Sequence, residues 1–138
     1  MFFNQKENNN NDTDLIKVAS LLIHAAKIDE NYSYEEEEII KKTLLSLGAE
    51  KIKLNSLIMK AKQYEEDVNQ ILDFTREIKN LEEKNKIKII KSLWKIIYSD
   101  KDADIYETNL MRRLAGLLYI DSKIMGDIKE EIKKENLK

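Results

Sequence analysis

The sequence predicts an all-α protein, a single compact bundle of about seven helices, and three observations carry that prediction. The 138 residues include no proline and only three glycines, Gly48, Gly116 and Gly126. An all-β chain of this length needs many tight turns and the residues that make them. Apolar residues recur at helical spacing almost throughout. Finally, 42% of the residues are apolar and 36% charged, a balance that excludes a purely disordered chain and suits charged helices around one apolar centre.

The elements follow in order. Leu15, Val18, Ala19, Leu22, Ile23 and Ala26 mark one face of a first helix, with Asp12 or Thr13 as its expected cap. Ile39, Ile40, Thr43, Leu44 and Leu47 mark a second, closed by Gly48. A third is expected from Ile52 or Asn55 to Tyr64, ending at an acidic junction between Glu65 and Val68. A fourth carries Val68, Ile71, Leu72, Thr75 and Ile78. The strongest pattern is the fifth: Ile87, Ile90, Leu93, Trp94, Ile97 and Tyr98. Leu110, Leu114, Leu117 and Leu118 define a sixth helix, and Ile124, Ile128 and Ile132 a seventh. Nothing between them reads as an interdomain linker, so residues 12–138 form one helical domain. Residues 1–11, two phenylalanines followed by asparagines, read as a disordered tail.

Charge and composition remove several functions. The net charge is −2, and only Arg76, Arg112 and Arg113 among 24 basic residues are arginines, a poor basis for recognising nucleic acid. Without cysteine there are no disulfides, thiol nucleophiles or thiolate metal sites, which suits a reducing, cytoplasmic setting. No apolar run approaches the ~20 residues of a transmembrane helix. His24 is the only histidine, and Leu21 stands where a ferritin-like Glu-x-x-His pair would need its carboxylate. No nucleophile is paired with a base and no nucleotide loop is present, so the chain reads as no enzyme.

An internal repeat is the most informative pattern. Residues 28–36 lie on residues 99–107 at an offset of 71 (100 − 29 = 71), and each copy sits between two apolar helices. The fold is therefore expected as two pseudo-repeated helix–acidic turn–helix halves. The first turn supplies Asp29, Asn31, Ser33 and Glu36, and the second Asp100, Asp102, Asp104 and Glu107.

On these residues the chain resembles the TerB-like domain family associated with tellurite resistance, from about Leu15 to Ile132. Ala26 to Glu36 and Tyr98 to Glu107 stand where the family has an Ala-x-x-Asp-Gly-x-(apolar)-x-x-x-Glu-like turn. Asp73-Phe74-Thr75-Arg76, Leu93-Trp94 and Arg112-Arg113-Leu114-Ala115-Gly116-Leu117-Leu118 look like the stand-alone bacterial branch. The chain is also similar to the TerB-like N-terminal domain of a membrane-anchored DnaJ-type co-chaperone. The family glycine after the aspartate is replaced by Glu30 and Lys101. The resemblance implies an all-helical fold with pseudo-twofold halves, a stress-associated setting, acidic-cluster metal binding and no established catalytic chemistry. A shared domain does not by itself transfer tellurite resistance.

Two readings of the acidic turns compete. Calcium, or another hard divalent cation, takes six to eight oxygen ligands, and Asp100, Asp102, Asp104 and Glu107 can converge on one point. Asp29, Asn31, Ser33 and Glu36 offer fewer charges. Against this, Ser33 with Glu36 and Asp104 with Glu107 have the spacing of capping boxes, which account for those positions without any ion. Function accordingly divides between a cation-binding module and a metal-independent scaffold that contacts a protein partner. The run Glu35 to Glu38 reads as a solvated first turn or an acidic patch, and Trp94, Tyr98 and Phe74 as core or groove. Arg113 is placed to reach a turn carboxylate or to bury its stem at the surface, and Arg112 projects into solvent.

Overall fold

The computed structural model describes residues 8–27, 33–68, 71–76, 78–100 and 105–136. Seven α-helices follow one another among them: α1 (Asn8–Lys27), α2 (Tyr34–Ser46), α3 (Leu54–Val68), α4 (Ile71–Thr75), α5 (Glu83–Ile97), α6 (Ile105–Leu117) and α7 (Ser122–Asn136). Short 3-10 turns occupy Lys51–Lys53, Ile78–Asn80 and Tyr98–Asp100. No strand occurs among the described residues, and no helix is long and apolar enough to cross a membrane.

α1 is the central element because it is apolar on more than one face. Leu21, Leu22, Ile23, Ala25 and Ala26 are all buried, and the helix packs on α2, α3, α4 and α5. α5 is its counterpart: Ile89, Ile90, Leu93, Trp94, Ile96 and Ile97 are buried against α1, α2 and α7. Phe74 of the short α4 closes the core, with the His24 and Tyr64 rings 5.7 and 5.6 Å from its own.

Three sequence expectations need correction. α1 begins at Asn8, so Asp12 lies within it and pairs with Lys53 at 3.5 Å instead of opening the helix. The buried stripe that begins at Leu15 anchors the helix, and the polar turn before it simply extends it. Of the expected tail, residues 1–7 lie outside the described residues. α3 runs through the supposed acidic junction to Val68, because Glu65 is not a solvated turn residue: it is buried against α1. The fourth helix is correspondingly short, Ile71–Thr75, and Ile78 belongs to a separate 3-10 turn.

Helix register follows from side-chain contacts. Asp12–Lys53, Ser20–Ala61 and His24–Glu65 all span 41 residues, so α1 and α3 run parallel and in step. The Lys88 ammonium donates to the Ser46 carbonyl at 3.1 Å, and the Thr43 and Ser92 hydroxyls share a buried hydrogen bond. These pairs run in opposite directions, so α2 and α5 are antiparallel.

Two of the helices match in length and in their position relative to the offset of the acidic turns. α2 and α6 each have 13 residues and coincide at the offset of the acidic turns, 105 − 34 = 71 and 117 − 46 = 71.

Candidate functional site

The first acidic turn ends in a complete capping box. The Glu36 amide donates to the Ser33 hydroxyl at 3.1 Å, and the Ser33 amide donates to the Glu36 carboxylate at 2.8 Å. Glu36 is buried as a result. Asp29, Asn31, Asp102 and Asp104 lie outside the described residues, as do the side chains of Asp100 and Glu107; the backbone of Asp100 closes the 3-10 turn after α5, and that of Glu107 lies in the first turn of α6. Among the described residues, no group of three or more His, Asp or Glu side chains stands ready to hold a metal ion.

What the described helices settle is where the turns attach. α1 and α3 run parallel while α2 runs opposite to α5. Lys27, Ser33, Val68 and Tyr98 therefore belong to one end of the bundle. The C-termini of α1, α3 and α5 meet there with the N-terminus of α2. α4 begins at Ile71 and α6 at Ile105, within a few residues of the ends of α3 and α5, so negative C-termini and positive N-termini both gather there and the helix dipoles largely offset.

The glutamate run is not a free acidic patch. Glu36 caps, and Glu37 pairs with Lys41 at 3.7 Å and with Lys62 of α3 at 3.1 Å. Glu38 accepts a hydrogen bond from Tyr34, and its charge and that of Glu37 hold the Tyr34 phenol above its ordinary value.

Two ionic features at or below this end escape sequence reading. The buried Glu65 carboxylate meets His24 Nδ1 at 3.1 Å and Lys27 Nζ at 2.7 Å. Burial pushes the Glu65 carboxyl up, but hydrogen bonds and charge from Lys27 and His24 pull it further down, leaving it below the ordinary carboxylate value. Between α2 and α5, Lys42, Lys88, Lys91 and Lys95 line a cleft of about 360 Å³. Lys91 reaches Glu131 at 3.6 Å. Only a register linking two distant helices reveals either grouping.

Of the other singled-out residues, Phe74 is core, and Trp94 and Tyr98 stack at 5.9 Å beneath a groove between α5, α6 and α7. Burial and the Glu130 charge raise the Tyr98 phenol. Arg113 is exposed, and Arg112, expected in solvent, is exposed at the rim of that groove.

Seven short helices among the described residues, packed around one core, define a class of small helical module. The family model described as "Tellurite resistance protein TerB" matches residues 15–130, and the chain belongs to that family. No curated protein and no solved structure matches it.

Proposed function

We propose that this TerB-family domain is a non-enzymatic binding module whose two acidic turns take a hard divalent cation of the calcium type at one end of the bundle. The observation that carries this reading is the antiparallel register of α2 and α5, fixed by Thr43 with Ser92 and by Ser46 with Lys88. It supports a common location for the segments that follow α1 and α5. Carboxylate, amide and hydroxyl oxygens are the donors such a cation prefers. Asp100, Asp102, Asp104 and Glu107 supply most of the charge, with Asp29 and Asn31 completing the set. Glu36 and Ser33 hold the start of α2 rather than the ion.

The test is an amide NMR titration with calcium and then magnesium at physiological salt, alongside a variant carrying Asp100→Asn and Asp102→Asn. Saturable shifts centred on residues 100–107, lost in the variant, support the reading. Linear or diffuse changes overturn it.

A second reading, a metal-independent scaffold for a protein partner, draws on the exposure of Ile52 and Met59, at 90% and 71%. A flat titration moves the assignment toward it.

A further inference from the structure

The groove between α5, α6 and α7 has a volume of about 470 Å³, within the range that holds small organic ligands. Trp94 lies at its floor, with Met111 and Met125 on its walls. Its lining includes no carboxylate, but Lys129 and Arg112 stand at it, and neither makes an ion pair among the described residues. The Lys129 ammonium lies 5.5 Å from the centroid of the Trp94 ring.

The two helical glycines of the chain both face this groove. Glycine weakens a helix relative to alanine by up to ~1 kcal/mol. It is justified where the backbone is left-handed or where a neighbour presses close. Neither condition holds. Gly48 is the glycine with positive φ, and a Cβ built on Gly116 or Gly126 meets nothing within 4 Å. Both are exposed and leave this groove open where a side chain would project over it; Gly116 also borders a smaller pocket beside α4.

We infer that this groove binds a free aliphatic carboxylate, its chain lying along Gly116 and Gly126 over Trp94 and its anionic end held by Lys129 and Arg112. Charge complementarity selects the class. An apolar floor with two cations that form no ion pair among the described residues, and no acid in the lining, suits a ligand with a flexible hydrocarbon body and one negative end. The polarizable methionines adapt to chains of different shape. This site is separate from the acidic turns and needs no metal.

Trp94 is the single tryptophan, so its fluorescence reports the groove directly. The full chain is titrated with decanoate below its micelle concentration, and with decanol as the neutral counterpart. Decanoate is expected to shift the emission saturably and to move the methyl resonances of Met111 and Met125. Decanol, or decanoate with Lys129→Gln, should bind about tenfold more weakly. Gly126→Leu projects a side chain into the cavity, raises helix propensity and abolishes binding while the unfolding transition is kept. Three outcomes overturn the proposal: no saturable change, equal affinity for decanol and decanoate, or undiminished binding by Gly126→Leu. Loss of self-association in Gly126→Leu without decanoate binding to the parent also overturns it, in favour of a second copy as occupant.

Discussion

Gly48 and Tyr119 close two helices in the same way, 71 residues apart (119 − 48 = 71), each with a left-handed backbone at φ 107° and 57°. After α2 the Ala49 amide donates to the Leu44 carbonyl at 2.9 Å and the Gly48 amide to Leu45 at 3.1 Å. After α6 the Ile120 amide donates to Ala115 at 2.9 Å and the Tyr119 amide to Gly116 at 3.3 Å. Both are Schellman endings, which satisfy the last helical carbonyls by turning one residue left-handed. Glycine does this without strain, whereas a side chain is costly there. Tyr119 is tolerated beside two cations: the Lys79 and Lys86 ammoniums each lie 5.9 Å from its ring centroid.

The two positions therefore respond differently to substitution. Gly48→Ala places a Cβ on a strongly positive φ and should lower stability by about 1–2 kcal/mol. Tyr119→Gly relieves strain but loses the lysine contacts and loosens the unfolded chain, so its net effect should stay within about 1 kcal/mol. Urea unfolding of both variants checks this. A Gly48→Ala variant as stable as the parent would show that the left-handed ending does not matter.

Lys86 supports the second ending from below. It is 9% exposed and its ammonium donates to the Leu118 carbonyl at 2.9 Å, placing positive charge on the negative end of α6. Lys86→Met keeps the aliphatic stem and removes the donor, leaving that carbonyl unsatisfied. The expected loss is about 1–2 kcal/mol by thermal or urea unfolding. Unchanged stability would mean that burying the ammonium costs as much as the bond returns.

How far the sequence disclosed these features depends on whether each rests on local or distant partners. Ser33 with Glu36 was readable because both ends of the capping box lie within one turn. Gly48 was readable as a stop because glycine announces a left-handed residue. Its counterpart was hidden by a tyrosine, although the 71-residue offset of the acidic turns points to it. Glu65 misled because Glu65, Glu66 and Asp67 together look like a solvated junction. Only the parallel register with α1 reveals that the first of them faces His24 and Lys27. Trp94 carried the periodicity of a core residue and is one, yet it also lines a groove that needs three helices to exist.

The Thr43–Ser92 contact ties α2 to α5 through a pair of small hydroxyls. Thr43 also lies 2.8 Å from the Ile39 carbonyl, and Ser92 lies 3.0 Å from that of Lys88. Two protons serve three possible bonds, so each hydroxyl depends on the other. Thr43→Val should cost about 1 kcal/mol by removing the bond between the two helices, and Ser92→Ala about the same. The double variant should lose less than the sum, by roughly 0.5 kcal/mol or more, because that bond is lost only once. Strict additivity in urea unfolding would show that the two hydroxyls act independently.

Glu65 makes the stability of the bundle depend on acid. The residue is 4% exposed, and its carboxyl sits below its ordinary value of 4.5 because Lys27 and His24 favour the charged form more strongly than burial opposes it. A depressed carboxyl contributes stability that is fully present above the ordinary value and is lost as pH falls through the folded one. Glu65→Gln should therefore cost about 1–3 kcal/mol at neutral pH, less than a fully buried pair because Lys27 remains 43% exposed. As pH falls through the folded value, which lies below 4.5, the two proteins should converge, since protonated Glu65 and glutamine differ little in charge. Urea unfolding at intervals between pH 7 and pH 2 measures the gap directly. A gap that stays constant across the range would mean that the carboxylate contributes shape and hydrogen bonding alone, and that its charge adds nothing to the joint between α1 and α3.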